Sequence, residues 1–278
     1  MAYKYGVKDL WLVNVGDIKP MELPISFFMD FAWNPNAFQA KDLPNYYIKW
    51  ARQQFGDTNA NDIAKLLSLY TKYNARRTPE MLTSDTYSVE SYREADNIVK
   101  EYKLLAEKSR IIYNRLPDSY KSAFYQLVLS PIEMCVNINE MYVAAGKNKY
   151  YSERGAASAN YYANRVKELF DKDAELTRYF HEELENGKWN HMMSQTHIGY
   201  TSWNNPEKNI MPQVETYDPD KESALGILVE GSLKEGDAQL PDFDSLNDQK
   251  YYIEVFNKGL KSHEYTVKSD KEWITLSS

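Results

Sequence analysis

The spacing of apolar and polar positions changes twice along this chain of 278 residues. Between residues 42 and 187, apolar side chains recur every three or four positions, which is the spacing of one face of an α-helix. After residue 223, short runs of β-branched and aromatic residues alternate with turn signals. The pattern predicts a mainly α fold, with a bundle of about five helices followed by a partial β-sandwich.

Turn and cap residues mark the ends of the predicted helices. A helix that is apolar over most of its circumference, and is therefore expected to be buried, ends at Asn34-Pro35. Gly56 is expected just beyond the end of the next helix, Ser88 is a predicted N-cap, and Pro131 predicts a kink. The predicted helices cover residues 25–33, 43–55, 60–74, 89–116, 119–146 and 156–186.

An apolar run near the amino end, Asp9 to Val15, reads as a buried strand of a parallel sheet. In α/β barrels, functional side chains stand at the carboxyl ends of such strands. Asn14, Asp17 and Lys19 occupy that place here and are candidate binding residues, with ordinary turn chemistry as the alternative. The run has no obvious partner strands in the helical region, so the sheet to which it belongs is expected to be incomplete in this chain.

The acidic carboxyl-terminal part contains four predicted strands, Leu225–Glu230, Tyr251–Phe256, His263–Val267 and Trp273–Leu276. A sandwich of immunoglobulin type needs roughly 100 residues. We therefore expect only the beginning of such a domain.

A long segment between the two regions, Trp189 to Pro212, follows neither the helical nor the strand period. It is rich in rings and amides, and irregular segments of this length are usually functional or disordered. Its aromatic content argues against disorder. Two interpretations remain open: a buried connector, or a binding loop in which His197, Tyr200 and Trp203 face a polar ligand.

Composition excludes several classes of function. The net charge of −7 disfavours nucleic acid as a partner, and no apolar run is long enough to span a membrane. Cys135 is the only cysteine, so no internal disulfide can form. Motifs for metal ions, phosphate groups or an activated serine are missing, and no pair of carboxylates is an evident acid and base, so neither a cofactor nor a metal is expected.

Two segments together resemble the xylan α-1,2-glucuronidases of glycoside hydrolase family 115. They are LWLVNVGDIKPMELPISFFMDFAWNP from Leu10 to Pro35 and KWNHMMSQTHIGYTSWNNP from Lys188 to Pro206. The resemblance implies that residues 1–41 are the last strand and helix of a (β/α)8 barrel and that residues 42–187 are the helical domain. Residues 188–222 would then be a connecting loop, and residues 223–278 the start of a β-sandwich.

The same resemblance implies inverting hydrolysis that releases (4-O-methyl)glucuronic acid from glucuronoxylan or aldouronic acids. It places the catalytic carboxylates upstream of Met1, so that this chain holds no catalytic residue and is expected to be inactive alone. Asn14 is implied as a sugar contact, with Asp17 and Lys19 as its neighbours. A periplasmic or extracellular location and a homodimer are expected for the parent. An autonomous helical interaction or dimerisation module is the alternative.

Overall fold

The computed structural model describes residues 2–16, 19–200, 206–222, 224–232 and 239–277. Its described part contains seven α-helices: α1 (Glu22–Trp33), α2 (Leu43–Phe55), α3 (Ala60–Asn74), α4 (Glu94–Arg115), α5 (Asp118–Phe124), α6 (Ser130–Glu153) and α7 (Ser158–Arg178). Two π-helical segments, Tyr125–Leu129 and Tyr179–Glu183, follow α5 and α7. Short 3-10 turns cover Ala2–Tyr5, Pro35–Ala37, Ala40–Asp42, Pro79–Met81 and Leu184–Gly187. The predicted mainly α fold is confirmed.

Helix α6 runs through the middle of the bundle, and most of its residues are buried. It packs mainly against α7 on one side and α4 on the other. The largest apolar core lies where α2, α3, α4 and α5 meet the segment before α6, and Phe124, Val128 and Leu129 are fully buried in it. A helix buried on all sides has no polar face, which explains why α6 lacks a clear amphipathic stripe in the sequence.

The predicted kink at Pro131 takes the form of a π-helical segment, Tyr125–Leu129, directly before α6. Pro131 thereby falls in the first turn of α6, where its missing N–H group needs no helical partner. Because a π turn is wider than an α turn, the proline ring does not clash with the carbonyl of the preceding turn. Helix α6 continues beyond the predicted end at Gly146 as far as Glu153.

The start of α4 corrects the predicted cap at Ser88. The helix begins six residues later, at Glu94, after Tyr92 and Arg93 with positive φ values of 58° and 49°. Instead of capping, Ser88 donates its backbone N–H to the Glu94 carboxylate and accepts a bond from the Ala95 N–H. At the other predicted end, Gly56 has the left-handed φ of 80° expected beyond α2.

Helix α1 is less buried than its apolar sequence predicts. One face packs on α2, where the ring of Phe27 meets that of Tyr46 edge-on at 5.0 Å between centroids. Only Leu23 is fully buried, whereas Trp33 is 91% exposed and Met29 is 61% exposed. The expected burial is therefore wrong for the outer face, because no described element covers it.

The predicted strand at residues 9–15 is also wrong. The segment is extended but forms no ladder with any described residue, since a strand requires a neighbour for its backbone groups. Leu10 and Leu12 are 81% and 95% exposed. Only Trp11 packs on the bundle, with its ring stacked on Phe31 of α1 at 5.5 Å.

A small two-stranded sheet follows the bundle. Strands β1 (Leu225–Val229) and β2 (Ile253–Asn257) pair antiparallel with Ile227 opposite Val255. Leu228 and Phe256 bury their side chains against the end of α6 and the start of α7. Two of the four predicted strands are thus confirmed, whereas residues 263–267 and 273–276 form no strand. None of the described helices combines the length and apolar content that crossing a bilayer would require.

The close approach of α6 to residues 83–89 yields the first prediction. A Cβ atom on Gly146 would overlap the backbone carbonyl of Ser84 and touch Val89. Gly146→Ala should gain about 1 kcal/mol of helix propensity but lose about 1–3 kcal/mol to the forced contact, so we expect a lower melting temperature. Thermal unfolding followed by circular dichroism measures the balance. A variant stabilised by the full propensity gain would show that the Ser84 segment moves aside freely.

Candidate functional site

A cavity of about 620 Å³ lies where five parts of the chain meet. They are the turn before α1, the region from Tyr70 of α3 to Glu80, the π-helical segment with the start of α6, the end of α7, and the irregular segment after the bundle. Met21, Glu80 and Gln195 lie on its wall and are exposed, so the cavity reaches the surface there. The volume is typical of small-ligand sites, which cover about 300–1,000 Å³. The lining residues are Lys19, Pro20, Met21, Tyr70, Pro79, Glu80, Gln126, Ser130, Pro131, Met134, Cys135, Ile138, Asp173, Thr177, Phe180, Met193, Gln195, Thr196, His197 and Tyr200.

Lys19 stands on the amino-terminal wall of the cavity. Its ammonium group forms an ion pair with Glu22 in the first turn of α1 and lies 4.6 Å from the ring centroid of Trp189. Its Nζ also donates a hydrogen bond of 3.4 Å to Oε1 of Gln126. The positive charge of Lys19 is therefore compensated within the protein and connects three separate parts of the chain.

His197 and Asp173 form an ion pair on the opposite wall. Nε2 of His197 lies 3.0 and 2.9 Å from the two carboxylate oxygens of Asp173, and Nδ1 lies 3.1 Å from the Gln195 carbonyl oxygen. Both ring nitrogens face acceptors, which is the arrangement of a doubly protonated imidazolium. Burial lowers the pKa of His197, but the hydrogen bond and charge of Asp173, with the Gln195 carbonyl, outweigh it and raise that pKa above its ordinary value.

The irregular segment that carries His197 is held against the bundle. The Asn209 side-chain oxygen accepts hydrogen bonds from the backbone N–H groups of His197 and Ile198, at 2.9 and 3.1 Å. Ile198 is 1% exposed in a second apolar core, and Trp189 packs on the first. For its described residues, the segment packs on the bundle as a connector, and some of its side chains line a cavity; a binding role of the segment stays a prediction.

Gln126 was not identified from the sequence. Its side chain is 4% exposed on the cavity wall, and its Nε2 atom has no hydrogen-bond partner among the described residues. A buried amide donor without a partner is unusual in a folded protein and calls for an explanation. The only sequence signal is one polar residue within the apolar run Tyr125–Leu129.

Cys135 lies on the cavity wall as a buried free thiol. Burial raises its pKa to about 11, and Nδ2 of Asn74 donates a bond of 3.4 Å to its sulfur. The thiol therefore stays protonated at neutral pH and is a poor nucleophile. Among the described residues, no group of three or more histidine, cysteine or acidic side chains could hold a metal ion.

The structure brings together three of the candidate residues and separates a fourth. Lys19, His197 and Tyr200 line the same cavity. Asn14 is exposed on the turn before it, where its side-chain oxygen accepts a 3.0 Å hydrogen bond from the Gly16 N–H, so it is not part of the cavity wall. The remaining candidates, Asp17 and Trp203, lie outside the described residues.

The amino-terminal part of the chain is similar to a known family. Residues 1–81, which include α1 to α3 and the Lys19 wall, match the model of Glycosyl hydrolase family 115. Over these residues the chain is similar to family 115. The resemblance seen in the sequence motifs is thereby confirmed. The matched residues that line the cavity are Lys19, Pro20, Met21, Tyr70, Pro79 and Glu80.

A solved structure extends the likeness beyond the family 115 match. The chain is similar to a family GH115 4-O-methyl-α-glucuronidase with specificity for decorated arabinogalactans, with a TM-score of 0.62 and 24% sequence identity. The match covers 80% of this chain and 30% of that enzyme. At this identity the likeness establishes the fold, and the chain spans less than a third of that enzyme's length. No curated protein gives a significant match to the chain.

Proposed function

We propose that this chain is the helical segment of a family 115 α-glucuronidase. The enzyme of which it forms part releases glucuronic acid or 4-O-methylglucuronic acid from side chains of a polysaccharide. The observation that carries this proposal is the family 115 match over residues 1–81. The fold likeness to a 4-O-methyl-α-glucuronidase over 80% of the chain supports it independently.

We propose a class of polysaccharide as the substrate and not one particular polymer. The resemblance of the Leu10–Pro35 and Lys188–Pro206 motifs points to glucuronoxylan and its aldouronic acid fragments. The solved relative, in contrast, is specific for decorated arabinogalactans. Both substrates present a uronic acid on a neutral sugar chain, and that shared chemistry is what we propose for this enzyme. Such polymers are met outside the cytoplasm, which supports a periplasmic or extracellular location.

In this proposal the segment positions the site without performing the chemistry. Inverting hydrolysis needs an acid and a base at carboxyl groups about 6.5–9.5 Å apart, with water between them. The described carboxylates on the cavity wall are Glu80, which is exposed, and Asp173. Both oxygens of Asp173 are occupied by the His197 imidazolium, so it is poorly placed to activate water.

An activity comparison tests this proposal. The purified chain should release no uronic acid from aldouronic acids or from glucuronidated arabinogalactan fragments above a buffer blank, because loss of acid and base assistance costs about 10²- to 10⁴-fold each. A longer protein that includes the coding sequence upstream of Met1 should release it from at least one substrate. Release by the chain alone would refute the non-catalytic role, and a longer protein inactive on both substrates would refute the proposed activity.

One observation favours a second function, an interaction or dimerisation module. Apolar side chains of α1 and of the preceding segment are exposed, namely Leu10, Leu12, Met29 and Trp33. Exposed apolar patches of this kind commonly mark contact surfaces. Light scattering after size-exclusion chromatography distinguishes the two: a stable dimer of the chain that binds no carbohydrate would favour the module.

A further inference from the structure

An unpartnered amide on the cavity wall indicates what the cavity accepts. Nε2 of Gln126 is buried and has no partner among the described residues, while Oε1 of the same amide accepts a bond from Lys19. The Lys19 contact orients the amide so that its oxygen is used and its nitrogen has no partner among the described residues. An acceptor oxygen of a bound ligand would satisfy such a donor.

The charges around the cavity balance each other. Lys19 pairs with Glu22, and His197 pairs with Asp173 through both carboxylate oxygens. Glu80 adds a further negative charge at the exposed rim. An anionic ligand would find no unpaired cation among the described lining residues and would meet two carboxylates, Glu80 and Asp173. The electrostatics therefore favour a ligand without net charge.

The remaining wall combines apolar surfaces with hydroxyl groups. Pro20, Pro79 and Pro131 provide flat apolar surfaces, and Thr177 and Thr196 provide hydroxyl groups. Thr196 already donates to the Pro206 carbonyl at 2.5 Å, which leaves its oxygen as an acceptor. Alternating C–H faces and hydroxyl groups are the surface of a sugar ring, which such a wall complements.

We propose that this cavity binds a short neutral oligosaccharide, the sugar chain that carries the uronic acid, and that Gln126 Nε2 donates a hydrogen bond to one of its oxygens. The identity of the ligand as a carbohydrate rests on the proposed function. The segment would then hold the polymer by its neutral backbone, while the uronic acid itself is recognised elsewhere in the enzyme. Lys19 is a positioning residue for the Gln126 amide.

Binding to the chain itself tests the proposal without any catalysis. Xylotriose and galactotriose are titrated into the purified chain by isothermal calorimetry or by nuclear magnetic resonance, with glucuronic acid as the charged probe. Saturable binding of at least one trisaccharide, with glucuronic acid bound more weakly, is expected. No saturable trisaccharide binding, or tighter binding of glucuronic acid, would overturn the proposal.

A matched pair of variants identifies the contact. Gln126→Leu removes the free donor at similar side-chain volume and should weaken trisaccharide binding about tenfold or more, because a ligand oxygen loses its partner. Gln53→Leu makes the same substitution at an exposed position of α2, outside the cavity, and should bind as the parent chain does. Equal binding by Gln126→Leu and the parent chain would overturn the assigned contact.

Folding does not confound this comparison. Gln126→Leu removes a buried donor that has no described partner, which should stabilise the fold, and also the 3.4 Å hydrogen bond from Lys19 to the amide oxygen, which should destabilise it, so its melting temperature should stay close to that of the parent chain. Gln126→Glu keeps the acceptor for Lys19 and replaces only the donor, and it should lose binding to a similar extent. These results concern the isolated chain, whereas the proposed function is tested by hydrolysis with the longer protein, so either can fail while the other stands.

Discussion

Replacing Phe124 with alanine is expected to lower the free energy of unfolding by about 3–5 kcal/mol, the usual cost of removing a buried phenylalanine ring. Phe124 is the last residue of α5 and is 0% exposed. Its ring meets Phe55 of α2 edge-on at 5.4 Å and that of Tyr113 of α4 at 6.4 Å. The cavity left by alanine would lie between three helices that cannot all move inward together, so little of the loss should be recovered.

Chemical denaturation monitored by circular dichroism measures this loss. The matched control is Tyr161→Ala, which removes a ring that is 64% exposed on α7. The control should change stability by about 1 kcal/mol at most. Equal losses in the two variants would mean that the α2, α4 and α5 junction is not the main core of the bundle.

Replacing His197 with alanine is expected to cost about 3 kcal/mol near pH 6 and less near pH 9. The change leaves the Asp173 carboxylate, whose side chain is 4% exposed, without its cation. We take the lower end of the range for a broken buried pair because the His197 side chain is itself 37% exposed.

The sign of the pH effect follows from the direction of the pKa shift. The pKa of His197 is raised in the folded state, chiefly by Asp173 against the opposing effect of burial. The pair therefore contributes its full stability below the unfolded pKa of about 6.5, and the contribution is lost as the pH rises through the folded value. The difference in unfolding free energy between the parent chain and His197→Ala should shrink from pH 6 to pH 9.

A second variant separates charge from packing in this pair. Asp173→Asn keeps an oxygen acceptor for the imidazole but removes the charge, so its difference from the parent chain should show the same pH trend. Unfolding free energies at both pH values decide the matter. A His197→Ala difference that is constant or grows with pH would show that the ring is neutral and that its role is only to pack.

The bundle itself could be predicted from the spacing of apolar residues. Helices α2 and α3 present one apolar face each, and a repeat of three or four positions specifies such a face without reference to any distant residue. Gly56 is a local signal of the same kind, because glycine adopts a positive φ, here 80°, more readily than other residues do. The strands β1 and β2 were likewise evident from short apolar runs next to turns.

Predictions failed where an element depends on a neighbour that the local pattern does not specify. Residues 9–15 have the composition of a buried strand but find no ladder partner among the described residues, and α1 has an apolar outer face that no described element covers. Glycine is common at helix ends, so Gly146 was predicted to end its helix. It lies inside α6 instead, where the lack of a side chain leaves room for the Ser84 carbonyl. In each case, composition indicates a preference for burial or a turn, and the neighbouring elements determine the outcome.

The sequence by itself determined the helical class, the order of helical and β-rich regions, and the family motifs around Lys19 and His197, because these depend on local spacing and residue type. Only the tertiary structure placed Lys19, His197 and Tyr200 on one cavity while leaving Asn14 on an exposed turn. The tertiary structure alone paired His197 with Asp173 of α7 and left the Gln126 amide nitrogen without a partner among the described residues. Such contacts join residues far apart in the chain, and their geometry is set by how the helices pack, which no local period encodes.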